Sequence, residues 1–251
     1  MQRSTTNNRI WYLDAWRGVA VIAMVLFHGL YLAQYLGYIE IDLFTDNWTI
    51  AARVVQWSFL LLVGISLHIS FTRAIQKGST VKEWRESRYK RAIVIAVCAA
   101  LVSLVTWLFE PTWMVRFGIL HLIALAVVVY AWLIPHMKEV LFAILVWLAA
   151  PFLQLIELSP QWHFLHIIGF PTEQVLFSFD FFPIIPWIAI PGIGVALGNA
   201  LRYAHYLPEL QTKEVAVLQP LLWCGKYALH IYMLHIPVIF GLFLVLQFLF
   251  R

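Results

Sequence analysis

Charge is scarce in this chain. Only 12% of its 251 residues are Asp, Glu, Lys or Arg, against 62% that are hydrophobic, and the mean hydropathy is +0.81. A soluble domain of this length could not hide so much apolar surface, which leaves an integral membrane protein. No polar stretch between the apolar runs is long enough to build a core, so residues 1–251 read as a single integral-membrane domain. Cysteine is nearly absent. Cys98 and Cys224 both lie in apolar surroundings, which excludes a disulfide framework and leaves two small buried hydrophobes. Several motifs are missing: His-Glu-x-x-His, paired Cys-x-x-Cys, a Walker-type glycine loop and the soluble serine-hydrolase signatures. No metal is therefore expected. No basic face with interleaved aromatics is present, so nucleic acid is not an expected partner, and the basic balance belongs to loops. The first apolar run begins beside Asp14 and Arg17 without a small-x-small cleavage site, so it is expected to be retained as a span. There is no internal repeat and no low-complexity tract.

What is present is a series of apolar runs, and the expected fold is all-α, a polytopic membrane helix bundle. About seven spans fit the ~20 residues needed to cross. They lie near residues 12–36, 49–72, 92–109, 117–134, 140–156, 182–201 and 221–249. Pro237 is expected to kink the last, with Lys226 at its cytoplasmic mouth. Loop charge orients them. The stretch after the second span holds Arg73, Lys77, Lys82, Arg85, Arg88, Lys90 and Arg91 against Glu83 and Glu86. The loop after the first has Glu40, Asp42 and Asp46, and that after the fifth has Glu157, Glu173 and Asp180, both without Lys or Arg. This asymmetry places the N-terminus in the cytoplasm of a chain expected in an inner (plasma) membrane. The basic stretch is a topology determinant first; its charge also suits anionic lipid or a phosphate-bearing ligand. Trp11, Trp48, Trp107, Trp113, Trp132 and Trp162 cluster near span ends as an interfacial belt.

The ionisable residues within the spans carry the functional signal, because such groups are expensive in lipid. Asp14 and Arg17 are three apart and can pair on a helix. Arg17 and His28 are eleven apart, which at 100° per residue brings them within about 20° of one another, about 16 Å apart along the axis. Gly18, Val21, Met24 and Val25 lie near the same stripe, and Gly18 would admit a close neighbour. Arg53 and His68 stand near the two ends of the second span. Arg116 and His121 frame the start of the fourth. Asp180 precedes "FDFFPIIPWIAIPGIGVALG", where Pro183, Pro186 and Pro191 argue against a plain helix and for irregular backbone lining a cavity. Lys226 and His230 share a helical face; His235 lies about 140° from His230.

These residues also carry a resemblance. "RIWYLDAWRGVAVIAMVLFH", through Asp14, Arg17-Gly18, Met24 and Phe27-His28, resembles bacterial members of the heparan-alpha-glucosaminide N-acetyltransferase catalytic-domain family. "FLLLVGISLHISF", "VRFGILHLIAL", the Asp180 segment and "WCGKYALHIYMLHIPV" look like later blocks of the same family, in the same order. The Arg-to-His spacing also resembles that of wider transmembrane acyltransferases that decorate surface glycans. The resemblance implies transfer of acetyl from cytosolic acetyl-CoA to an amine or hydroxyl across the membrane, with Arg17 and His28 positioning the acyl-CoA and carrying the chemistry. The lysosomal members have a polar residue other than histidine at the position of His28 and place their key histidine in the following loop. Here residues 33–48 contain no histidine, a departure that bears on the acceptor more than on the acyl-transfer class.

On this basis, the phosphates of acetyl-CoA would meet Arg17 and Lys226, with Asp14 holding Arg17. His28 would be the general base or an acyl carrier. Arg116, His121, Asp180 and His235 would serve the sugar or glycan acceptor. The other partners are the lipid bilayer and, compatible with the chain, a second copy in a homo-oligomer. A rival reading is a proton-coupled transporter or channel using the same Arg, His and Asp groups. A third is a structural partner presenting substrate to another enzyme.

Overall fold

A computed structural model describes residues 10–43, 45–156, 159–171, 178–203 and 216–249. Glu157 and Glu173, counted above in the outer-loop charge, lie outside them. Among the described residues there are helices and no strand; one isolated bridge pairs Phe117 with Phe181. The helices are α1 (Trp11–Tyr35), α2 (Asp46–Gln76), α3 (Val81–Phe109), α4 (Ile119–Leu133), α5 (Glu139–Leu153), the short α6 (Ile184–Trp187), α7 (Ala189–Tyr203), α8 (Gln219–Lys226) and α9 (Ala228–Leu249). Among the described residues, six helical stretches are long and apolar enough to cross a membrane. The fifth expected span is α5, an apolar helix of 15 residues, about 22 Å long and short of the ~30 Å hydrocarbon core.

Three boundaries differ from the sequence reading. The basic stretch 73–91 is not a loop but the end of α2, a tight turn and the first turns of α3. Thr80 and Glu83 close a capping box: the Glu83 N–H donates to Thr80 Oγ1 at 3.2 Å, and the Thr80 N–H donates to Glu83 Oε2 at 2.8 Å. Gly78 supplies the turn with φ +85°. Secondly, the last expected span divides at Tyr227 (φ −104°, ψ 20°), and α9 continues through Pro237. Thirdly, the proline-rich entry is irregular only as far as Ile185; Pro191 sits in the first turn of α7, where its missing N–H costs nothing.

The described chain forms two compact units, Met1–Phe59 with His205–Arg251, and Leu60–Ala204. In the first, α1 lies on α8 with backbones in near contact. A Cβ on Gly18 would strike the Leu221 carbonyl oxygen, and one on Gly225 would strike the Asp14 carbonyl oxygen. Each helix therefore offers a glycine to the other, the small-residue packing expected where lipid supplies no hydrophobic drive. Gly18, Val21 and Met24 form the buried face of α1, while Trp16, Val19, Ile22 and Leu26 are exposed. Gly225→Val is expected to cost at least about 1–3 kcal/mol, read as a lower Tm of the purified protein in detergent.

In the second unit α4 is the most enclosed element, with Leu122, Ala126, Tyr130 and Ala131 fully buried. Its Tyr130 hydroxyl donates to the Ile188 carbonyl at 2.8 Å. The glycines of "PGIGVALG" explain why α7 can lie against α2. A Cβ at Gly64 would meet the Pro191 carbonyl, one at Gly194 would meet the Leu61 carbonyl, and Gly198 faces Ile65 and the His68 Cβ. Buried Trp84 ties α3 to α2, its Nε1–H donating to Ser70 Oγ at 3.0 Å while its ring meets Phe71 edge-on.

Candidate active site

The first unit holds Asp14, Arg17 and His28 on α1, Lys226 on α8 and His235 on α9. Asp14 and Arg17 form an ion pair, Arg17 Nη1 donating to Asp14 Oδ1 at 2.6 Å, with side chains 13% and 26% exposed. The guanidinium is thus oriented but accessible. Gly225 touches the Asp14 backbone, so Lys226, the next residue, is carried to the same level of the bundle. Its side chain is exposed, with Nζ 5.1 Å from the Tyr227 ring centre.

Beyond the charged pair comes an apolar layer. Val21, Met24 and Ala228 are its buried members, flanked by Val25, Val55, Phe59, Cys224, Ile231 and Tyr232. Cys224, expected to be a small buried hydrophobe, is a half-buried free thiol packed against this layer.

At the far side of that layer stand two histidines. His28 of α1 and buried His235 of α9 have ring centres 4.8 Å apart and planes at 74°. His28 Nδ1 lies 2.9 Å from the Met24 carbonyl oxygen, and His235 Nδ1 lies 2.6 Å from the Tyr232 carbonyl oxygen. A carbonyl only accepts, so each Nδ1 must carry an N–H, which in the neutral imidazole leaves Nε2 unprotonated. That assigns the basic lone pair to Nε2 in both rings. Each ring is held by a carbonyl one turn back on its own helix. His230, by contrast, is exposed, with its ring on Tyr227. Arg53 is also exposed, with Nη1 donating to Gln56 Oε1 at 3.2 Å.

Arg116, His121 and Asp180 lie in the second unit, where His121 and Asp180 organise the start of α4. Segment 178–182 runs beside 113–117: the Phe179 N–H donates to the Trp113 carbonyl at 2.9 Å and the Phe182 N–H to the Phe117 carbonyl at 2.8 Å. Asp180 is thereby held at the N-terminus of α4, where its Oδ2 accepts the Ile119 N–H at 2.9 Å. Gly118 is required at that point, because a Cβ there would overlap the carboxylate. His121 Nδ1 accepts the Gly118 N–H at 3.2 Å, which leaves the proton on Nε2, 3.4 Å from Ser103 Oγ. Ser103 in turn donates to the Val115 carbonyl at 2.5 Å. Asp180 and His121 thus satisfy amides that a helix start leaves open. Asp180→Ala is expected to cost about 0.5–2 kcal/mol, seen as a lower Tm, whereas Asp180→Asn, which keeps an acceptor oxygen, should lose less.

One enclosed histidine escaped the sequence reading. His166, in the 3₁₀ segment Pro160–Ile167, is 6% exposed and stacks on Phe181 with ring centres 5.0 Å apart. Its only sequence signal is its place in "HFLHIIGF", a short apolar run outside the expected spans. Among the described residues no group of three or more His, Cys, Asp or Glu side chains is placed to hold a metal ion.

Comparison with known families matches residues 9–237 to the heparan-alpha-glucosaminide N-acetyltransferase catalytic family. The chain belongs to that family. The comparisons with curated proteins and with solved structures give no match. The acetyltransferase match begins just before α1 and ends just after His235, so it spans Asp14, Arg17, His28, Arg116, His121, Asp180 and Lys226 as well. Membership makes the chain a membrane protein of the transmembrane acetyltransferase class, whose general donor is acetyl-CoA.

Proposed function

We propose that the protein transfers acetyl from cytosolic acetyl-CoA to the amine or hydroxyl of a sugar on the opposite side of the membrane, with His28 as the base. The N-terminus and the Asp14–Arg17 end of α1 face the cytoplasm in this reading. The observation that carries it is the arrangement along α1. An accessible, carboxylate-held guanidinium stands at one end of a buried stripe, and an imidazole with its Nε2 lone pair available stands at the other. Between them the helix rises about 16 Å, a span that the extended pantetheine arm of coenzyme A suits. Arg17 and Lys226 supply positive charge where the phosphates would rest.

His28 Nε2 takes the proton of the acceptor as its oxygen or nitrogen attacks the thioester carbon, and the C–S bond to coenzyme A then breaks. Fixing Nδ1 on the Met24 carbonyl keeps the right tautomer ready, at no cost in reorganisation during the reaction. Arg116 lies next to the start of α4, where Asp180 and His121 hold the helix start in place. The family's name points to a glucosaminide as the first acceptor to try.

The test is purified protein with radiolabelled acetyl-CoA and either glucosamine or N-acetylglucosamine. The first offers an amine and hydroxyls, the second hydroxyls alone. Labelled product with glucosamine only assigns N-transfer, and product with both assigns O-transfer. Folded wild-type protein that forms no labelled sugar and releases no coenzyme A thiol would sink the proposal.

A further inference from the structure

The mechanism above uses one histidine, yet α9 brings a second against it. His235 Nε2 is buried and has no hydrogen-bond partner among the described residues, while its Nδ1 is committed to the Tyr232 carbonyl. A buried polar atom left open costs free energy unless something fills the site during function. The His235 ring stands 4.8 Å, centre to centre, from the His28 ring. Two imidazolium charges at that spacing repel strongly where the dielectric is low, which favours no more than one imidazolium in the pair at a time. The two rings come from helices at opposite ends of the sequence, and both are tautomerically fixed in the same sense.

We propose that His28 and His235 form a proton relay, in which His28 receives the acceptor's proton and His235 delivers it to the departing coenzyme A sulfur. The proposal rests on the acyltransferase reading. The acceptor O–H or N–H bond breaks and its proton goes to His28 Nε2, while the acceptor atom bonds to the acetyl carbon. The proton then passes to His235 Nε2. As the C–S bond breaks, its electron pair goes to sulfur, which takes that proton and leaves as the neutral thiol. Both imidazoles end neutral, with Nδ1–H still on their carbonyls. The second ring has a physical purpose. A thiolate released into a buried site has no water to solvate it, so protonation during departure removes a large desolvation cost. One imidazole facing the acceptor is poorly placed to meet a sulfur on the donor side as well.

The test uses His235→Asn and His235→Gln in the full chain. The Asn amide can keep the hydrogen bond to the Tyr232 carbonyl but offers no base at the Nε2 position. The Gln amide reaches that position without supplying a base. With acetyl-CoA and glucosamine, both variants are expected to lower kcat roughly 10²-fold with KM for acetyl-CoA unchanged, and with Tm close to wild type for the Asn variant. The deciding readout is a donor with an acidic thiol, S-(4-nitrophenyl) thioacetate, whose leaving group needs no proton. Relative to wild type with the same donor, the His235 variants should recover most of their lost rate and His28→Ala should not. Wild-type kcat in the folded Asn variant overturns the relay, and so does a defect that the acidic donor leaves unrelieved. Absence of transfer by the wild type is a separate failure, that of the acyltransferase reading itself.

Discussion

His28→Ala is expected to lower kcat for acetyl transfer by roughly 10²- to 10⁴-fold, the range spanned by a positioned general base, and to leave the fold intact. The second part follows from the packing. The His28 ring is bound to its own helix through the Met24 carbonyl, and the neighbouring core is built from Val21, Met24 and Ala228 rather than from the imidazole. Truncation therefore removes the base without removing the contacts that seat α1. The measurements are steady-state kinetics with acetyl-CoA and a sugar acceptor, beside a thermal melt of the same preparation. A near-wild-type kcat in a folded variant would remove His28 from the chemistry.

Arg17→Ala should produce a different defect. If the guanidinium binds the phosphates of the donor, its loss removes interactions made equally in the ground and transition states. KM for acetyl-CoA then rises while kcat holds. Charge-assisted hydrogen bonds of about 1.5–3 kcal/mol correspond to a rise of roughly 10- to 100-fold. Arg17→Lys should recover part of this, since the charge remains but the planar fork is lost. The partner of the pair gives a control. Asp14→Asn keeps a hydrogen-bond acceptor for Arg17 but removes the carboxylate charge, so a smaller increase in KM is expected. A drop in kcat at unchanged KM for Arg17→Ala would place the residue in the chemical step instead of at the donor's phosphates.

The face of α1 was legible in the sequence because it is local. Helical periodicity put Arg17, Gly18, Val21, Met24 and His28 on one stripe, and its middle members Gly18, Val21 and Met24 are buried. The contact of His28 with His235 was not legible. Arithmetic along α9 relates His235 to His230, but nothing in either helix says how α1 and α9 are rotated against each other. The seating of α1 on α8, the helix just before α9, likewise depends on glycines whose partners are remote in sequence, Gly18 on Leu221 and Gly225 on Asp14. The role of Asp180 was hidden for the same reason: a carboxylate capping a helix that starts sixty residues earlier leaves no local pattern. The turn between α2 and α3 is a different case. Its Thr80-x-x-Glu83 signature and Gly78 are both present in the sequence, within a stretch dense in Lys and Arg. The break at Tyr227 carries no proline or glycine of its own, whereas Pro237, the obvious breaker, is absorbed within α9.

The most direct measurement is vectorial transfer in sealed proteoliposomes. Glucosamine is trapped inside, radiolabelled acetyl-CoA is added outside, and only protein whose Asp14–Arg17 end faces outward can bind the donor. The expected result is acetylated sugar in the lumen, no acetyl-CoA in the lumen, and loss of product in His28→Ala vesicles. Lumenal acetyl-CoA without acetylated sugar, or product formed only when donor and acceptor share a side, would contradict a site that joins the two faces of the membrane at His28.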